Sequence, residues 1–303
     1  MAEQAQSECR GWKSIADLVG DHPAAPAALV GAPLGLESLT PGQCDLGPET
    51  IRRTLRRFSV FDLESELDLS AMRVRDYGDA DIRALTPAQA FAPLRDAVSR
   101  AVGAHTLAIV VGGNNAVTRP GVNGAGDLKT VGLLTLDAHF DLRDTDCGLT
   151  NGNPVRALIE DGLPGENIAQ IGLAPFANTR RAFEFARSEG IMVRTIAETK
   201  SAGIEATLDE ALDALSHCER IYVDFDIDVI DRSQCPGAPG ARPGGLSVDD
   251  FFVSARRLAA APRVVAVDLT EFDPALDLSH ITALTAGRWF CEILAGLSFR
   301  HAP

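Results

Sequence analysis

The chain has 303 residues, 46% of them apolar and 23% charged, enough for one large α/β domain or two ordinary ones with a sizeable core. Its 42 acidic and 28 basic residues leave a formal charge of −14, which argues against a nucleic-acid partner and for a small-molecule substrate, because phosphate binding wants a surplus of Lys and Arg. No apolar run approaches the roughly 20 residues of a membrane span, MAEQAQSECRGWKS lacks a secretory apolar region, and the six dispersed cysteines form neither a zinc cluster nor a disulfide framework; no membrane partner and a cytoplasmic address are expected.

Apolar runs of strand length recur along the chain. In order they are ALVGAPLG near Ala28, MRVRDYGD near Val74, TLAIVVGG near Ile109, VGLLTLDAHF near Leu134, IAQIGLA near Ile171, IMVRTIA near Val193, RIYVDFDIDV near Val223 and VVAVDLTEF near Val267. Between them lie stretches with helical spacing. GPETIRRTLRR, from Gly47, places Pro at a first helical position. IEATLDEALDAL brings Ile204, Leu208, Ala211, Leu212 and Leu215 to one face, and SVDDFFVSARRL opens on a Ser cap at Ser247. This alternation predicts an α/β fold with a mostly parallel sheet covered by helices on both sides. No repeat or linker divides it, so residues 1–303 read as one domain, with a core over about 26–298 and an N-terminal extension over 1–25. In such sheets ligands bind beyond the carboxyl ends of the strands, where the polar motifs of this chain fall.

The first such motif is DAHFD. In an extended chain Asp137, His139 and Asp141 point to one side, so two carboxylates and one imidazole can meet a cation. A capping Asp or a carbonyl-bonded His explains any one of these residues, but three in register poorly. VDFDIDVID repeats the device with Asp224, Asp226 and Asp228. Like charges held close in a partly dry site force protonation unless a cation neutralises them. The two clusters together point to a divalent, dinuclear metal centre, and oxygen-rich ligation with a single His suits Mn²⁺ better than Zn²⁺.

DAHFDLR, VDFDIDVID followed by CPGAPGARPGG, and DLTEFDP from Asp268 resemble the signatures of the ureohydrolases, the family of arginase, agmatinase and formimidoylglutamase. The resemblance runs from about Ala28 to the last helix. It implies a three-layer α/β/α fold around a parallel eight-stranded sheet, two Mn²⁺ ions bridged by a hydroxide that attacks an amidine or guanidine carbon, and a homo-oligomer, trimer or hexamer. It further implies that Asp137 and Asp226 bridge the ions, that Asp141 binds the first, that His139 and Asp228 bind the second, and that Glu271 holds the cationic group of the substrate.

Two positions depart from the family pattern. Asn115, in VVGGNNAV, stands where a His ligand of the first ion is expected; an amide is a weaker donor, so that ion should bind less tightly or be absent. Asn151, in GLTNGNPVRALIEDG, replaces the proton-shuttling His of arginases and agmatinases and cannot titrate near neutrality. Formimidoylglutamases also lack that His and carry D-A-H-F-D-L-R, whose Arg grips the substrate carboxylate; Arg143 matches it here, the alternative being a surface Arg paired with Asp144 or Asp146. Arg156 and His280 are lesser candidates for a carboxylate partner and a shuttle. The turn ARPGGLS, by contrast, looks more like agmatinases and guanidino-acid hydrolases. The expectation is therefore an Mn²⁺-dependent hydrolase of a linear amidine C–N bond, converting N-formimidoyl-L-glutamate to glutamate and formamide. Asp141 and Glu271 are its catalytic residues, and Arg143, Asn151 and Glu271 contact the substrate. The alternatives are an agmatinase or guanidino-acid hydrolase releasing urea, and a non-catalytic subunit with a degenerate metal site.

Overall fold

The computed structural model describes residues 12–301; Cys9 lies outside them. Each of the eight apolar runs forms a strand. In chain order the strands are β1 (Val19–Gly20), β2 (Ala27–Ala32), a small antiparallel hairpin β3 (Phe61–Asp62) and β4 (Leu67–Asp68), β5 (Val74–Asp79), β6 (Leu107–Gly112), β7 (Val131–Leu136), β8 (Ile168–Leu173), β9 (Met192–Thr195), β10 (Arg220–Asp226) and β11 (Val264–Thr270). The principal helices are α1 (Gly47–Thr54), α2 (Pro87–Ala104), α3 (Thr118–Ala125), α4 (Pro154–Asp161), α5 (Arg180–Ser188), α6 (Ile196–Ala202), α7 (Ile204–Ala214), α8 (Val248–Ala260) and α9 (Ile281–Ser298).

All strands except the hairpin join one parallel sheet in the order β1-β5-β2-β6-β11-β10-β7-β8-β9. The sheet thus has nine strands rather than eight. The additional one, β1, is a two-residue edge strand inside the stretch read as an extension, too short to show a pattern of its own. It is anchored by Ile15 and Leu18, both fully buried, so the folded core begins before residue 26.

Helices cover both faces. Ile51 of α1, Leu208 of α7, Phe251 of α8 and Trp289 of α9 pack with Leu134, Val223, Phe225 and Leu269 on one side. Leu94 of α2, Val122 of α3, Leu158 of α4 and Ala186 of α5 pack with Val30, Val110, Leu133 and Tyr222 on the other. Covered twice, the central strands carry side chains that are buried throughout, which is why they read as continuous apolar runs rather than alternating ones. The helix starts follow the capping signals: Ser247 accepts from the Asp250 N–H and closes a capping box, and Pro48 sits in the first turn of α1.

The crossings decide where chemistry can gather. From β6 the chain skips two strand positions to β7, builds outward through β8 and β9, and returns to lay β10 and β11 into the gap. The carboxyl ends of β6, β11, β10 and β7 become neighbours, although they span much of the sequence. Gly113, just after β6, ties that end to those of β2 and β11: its N–H donates to Ala32 O (2.8 Å), its carbonyl accepts from Glu271 N (2.9 Å), and next to it Asn114 N donates to Leu34 O (2.8 Å). A Cβ at Gly113 would lie 1.9 Å from the Leu34 carbonyl oxygen, a backbone atom that cannot swing away. Gly113→Ala is expected to cost about 1–3 kcal/mol by overpacking and to lower the unfolding temperature by several degrees. Thermal denaturation measures this, and an unchanged midpoint would show that the strand ends are not held so tightly.

Candidate metal centre

The two acidic motifs do not run on as extended chain, as the alternation reading assumed. β7 ends at Leu136, and the Asp137 N–H adds one more bond to β8 at Ile171 O (3.0 Å) before the chain bends. His139 N then donates to Asp137 Oδ1 (2.6 Å), and Phe140 N donates to Asn178 Oδ1 (2.8 Å). Asp141 takes a left-handed backbone conformation (φ 53°). That turn aims its carboxylate back at Asn115, whose Nδ2 donates to Asp141 Oδ2 (2.7 Å), while its carbonyl accepts from Arg156 N (3.1 Å). In the second motif Asp226 ends β10, and Asp228 lies in a single 3₁₀ turn whose N–H donates to Asp226 Oδ1 (2.8 Å). Convergence comes from turns after the strands, and the left-handed Asp141 and Glu271 (φ 60°) hold the kind of strained backbone that persists where surrounding structure demands it.

The result is a buried cluster. Asp137, His139 and Asp228 each present a ligand atom within 4.8 Å of the others. His139 Nδ1 is 3.0 Å from Asp228 Oδ2 and 3.4 Å from Asp137 Oδ1. Asp141 and Asp226 stand beside them, also buried. Burial followed by the charge of Asp228 pushes the Asp137 carboxyl up to about 6. Burial also lifts Asp141 and Asp226 well above the carboxylate range, seconded by Asp137 for the former and by Asp228 for the latter. Burial pulls the His139 imidazolium down, but Asp228 and then Asp137 outweigh it and push the group up to about 12; burial likewise opposes the lowered Asp228, which His139 holds ionised. Protons thus stand in for positive charge. The donor set, carboxylate oxygens around one imidazole, fits a hard or borderline divalent cation, which would displace those protons.

Glu271 follows β11 and is buried. Its Oε1 accepts from the Asn115 N–H (2.7 Å) and from Asn151 Nδ2 (2.9 Å), whereas Oε2 has no protein donor among the described residues. Burial raises its carboxyl to about 7 against those two hydrogen bonds. Asn151 is engaged at both ends, since its Oδ1 also accepts from Leu39 N (2.8 Å). Asn115 presents its NH₂ group to Asp141, and its Oδ1 accepts from Thr118 Oγ1 (2.8 Å) and Thr270 Oγ1 (3.1 Å). With its oxygen so occupied, the amide faces the cluster as a donor.

A cleft of about 190 Å³ opens above these groups, lined by His139, Asp141, Asp226, Asp228 and Glu271 below and by Arg143, Asn151 and Arg242 towards its mouth. Arg143 has no acidic partner among the described residues, because Asp144 pairs instead with Arg181 (2.8 Å) and, at 3.9 Å, with Arg156. Arg156 binds Glu160 (2.7 Å), lies over the Phe185 ring and does not line the cleft; His280 is an exposed cap of α9 outside it.

Sequence reading missed Arg242, Asn178 and the layer beneath the cluster. In that layer Asp224 and Asp268 lie in register on β10 and β11, and Tyr222 and Thr118 donate to Asp268 (2.8 and 3.0 Å). Asp224, counted with the alternating acids, is therefore taken up in that layer. The strand register was the missing signal.

A family model for the arginase family matches residues 25–296. The chain belongs to the arginase family. It is 31% identical over 274 residues to the formimidoylglutamase of Halalkalibacterium halodurans, covering 88% of this chain and 86% of the relative. The crystal structure of Bacillus subtilis formimidoylglutamase superposes with a TM-score of 0.91 at 25% identity, over 97% of this chain and 95% of that one. A Trypanosoma cruzi formiminoglutamase structure with Mn²⁺ superposes at 0.88 and 22% identity, over 96% and 100% of the two chains, and shares the fold. The three-layer architecture expected from the motifs is thus the arginase fold.

These titrations make an unusual stability profile. Asp137 and Glu271 hold protons in the folded chain up to about pH 6 and 7, whereas unfolded carboxyls release them near 4. The folded state binds more protons in that window, so metal-free protein loses stability as pH rises through it, and the high-lying His139 extends the decline. Asp228 acts oppositely, but its contribution is already complete above the ordinary carboxyl range. In thermal scans from about pH 5 to 8 with chelator, the midpoint is expected to fall with pH, and added MnCl₂ to flatten the trend. A midpoint that climbs across this range in chelator would contradict the protonated cluster.

Proposed function

We propose that this protein hydrolyses the C–N bond of N-formimidoyl-L-glutamate, giving glutamate and formamide, with Mn²⁺ as its metal. The observation that carries the reading is the polarity of the cleft: acids with a free Glu271 oxygen at the floor, and an arginine without an acidic partner, Arg143, at the mouth. That arrangement suits a small molecule with a cationic amidine at one end and a carboxylate at the other. Similarity to formimidoylglutamases supports the choice.

Asp137, His139 and Asp228 would hold one ion, and Asp141, with Asp137 and Asp226, would hold the other. When bound, the ions polarise the substrate and make water nucleophilic near neutral pH. Glu271 Oε2 accepts a hydrogen bond from the amidinium, and its position is set by Asn115 and Asn151 on the other oxygen. Arg143 grips the carboxylate through paired N–H donors. Asp141 takes the proton of the attacking water and delivers it to the departing glutamate nitrogen as the C–N bond breaks. Asn151 supplies no proton in this scheme; it holds Glu271. Asn115 as a donor to Asp141 supports weaker binding at the first ion position. The same reading includes action as a homo-oligomer, trimer or hexamer, in the cytoplasm; mass photometry reads the former.

A urea-releasing guanidino hydrolase and a non-catalytic subunit are the competing readings. So many mutually repelling buried acids weigh against an idle centre, since without a cation they serve no packing purpose. Formimidoylglutamate, agmatine, guanidinobutyrate and arginine assayed side by side are expected to give formamide from the first fastest; faster urea release from any other overturns the substrate. Asp226→Asn is expected to abolish Mn²⁺-dependent turnover, and Arg143→Ala to raise KM about ten- to a hundredfold with kcat little changed. Asn115→His is expected to tighten Mn²⁺ binding, measured by calorimetry. Protein purified with Mn²⁺ that carries no metal, and gains no stability from it, would remove the enzyme reading.

A further inference from the structure

Arg143 is not alone at the mouth of the cleft. Among its lining residues the cationic side chains of the Lys/Arg type are Arg143, from the turn after β7, and Arg242, from the long loop after β10. Arg242 has no acidic partner among the described residues, in a chain where acids outnumber bases by 42 to 28. Its Nη1 donates to the carbonyls of Gly240 (2.6 Å) and Ala241 (3.3 Å), while Nε and Nη2 have no protein acceptor among the described residues. The tether also places it. Gly240 is pressed onto the metal-binding side chains so closely that a Cβ there would lie 1.9 Å from Asp228 Oδ2 and 3.1 Å from His139 Cε1. The head of Arg242 is therefore bonded to a backbone segment that touches the acid cluster, on a different loop from Arg143.

We propose that Arg242 is a second carboxylate-binding residue, so that the cleft selects a substrate with two anionic groups as well as one cationic group. This rests on the amidine-hydrolase reading and extends it: Arg143 and Arg242 each take a different carboxylate of the glutamate moiety, while Glu271 takes the amidinium. Two guanidiniums at the mouth of an acid-lined cleft leave agmatine, which has no carboxylate, without a partner there. A substrate with a single carboxylate leaves one arginine unmatched. Discrimination then comes from unmet charge as much as from contacts made. Arg242 is a specificity residue and takes no part in proton transfer in this scheme.

The test crosses residue with substrate group. N-formimidoyl-γ-aminobutyrate keeps only the carboxylate farther from the amidine, and N-formimidoyl-norvaline keeps only the nearer one. Arg242→Ala is expected to raise KM for N-formimidoyl-L-glutamate about ten- to a hundredfold with little change in kcat. It should weaken just one of the two analogues, and Arg143→Ala should weaken the other. Arg242→Lys, which keeps the charge but loses the planar fork, should recover part of the loss. Calorimetric binding of L-glutamate to metal-free protein gives a readout independent of turnover, and should weaken with Arg242→Ala. If formimidoylglutamate is the preferred substrate and Arg242→Ala leaves its KM unchanged, or weakens both analogues equally or the same analogue as Arg143→Ala, the Arg242 assignment falls alone. If the unaltered protein turns over agmatine as fast as formimidoylglutamate, the substrate reading falls and takes the Arg242 assignment with it.

Discussion

Mutual repulsion among buried carboxylates is the constraint around which this protein is arranged. Asp137, Asp141, Asp226 and Asp228 crowd about one imidazole, His139, with Glu271 close by, and all five acids are buried. No packing benefit explains such a group, because ionised side chains lose more on leaving water than their neighbours here can restore. In the metal-free chain the cluster copes by retaining protons and by charging His139. A divalent cation resolves the same conflict with less disturbance, and the fold holds the acids ready for it.

Rigidity is what makes that possible. The acids sit at the ends of strands buried on both faces, so their backbones cannot drift apart to relieve the repulsion. Hydrogen bonds fix the side chains further. Asp137 accepts from His139 N, Asp226 accepts from Asp228 N, and Asp228 accepts from Ala138 N (3.3 Å), so each motif braces itself and the last bond braces one motif against the other. Beneath them Tyr222, Thr118 and the Phe225 N–H satisfy Asp268, while Asp224 Oδ1 has no partner among the described residues. Asn115 links the two levels: hydroxyls hold its oxygen below, and its NH₂ group reaches Asp141 above.

The cleft then sorts charge by depth. The buried acids form its floor and the exposed guanidiniums of Arg143 and Arg242 its mouth. The acids supply the chemistry while the loops supply the choice, and loops vary with less structural consequence than strand ends. Asn151 orients Glu271, and the reaction proposed here has an acid nearby to move the proton.

Much of this was legible in the residues. Eight apolar runs gave eight of the nine strands of the main sheet, the first-turn Pro48 and the Ser247 cap gave helix starts, and the clustering of acids in DAHFD and VDFDIDVID named the members of the candidate centre, because period and composition are local properties. The two-residue edge strand β1 was invisible because its hold comes from Ile15 and Leu18 packing elsewhere. Alternation in an extended chain was the wrong route to convergence: left-handed Asp141 and the turn at Asp228 aim the ligands, and backbone dihedrals of this kind answer to neighbours. Pairings such as Asp224 with Asp268, Asn115 with Asp141, and Arg242 with the Gly240 backbone beside Asp228 were decided only in three dimensions. The sequence by itself determined which chemical groups are present and which strand ends carry them. Strand order and register determined which groups meet, since the return of β10 and β11 between β6 and β7 is a long-range choice that no local pattern encodes.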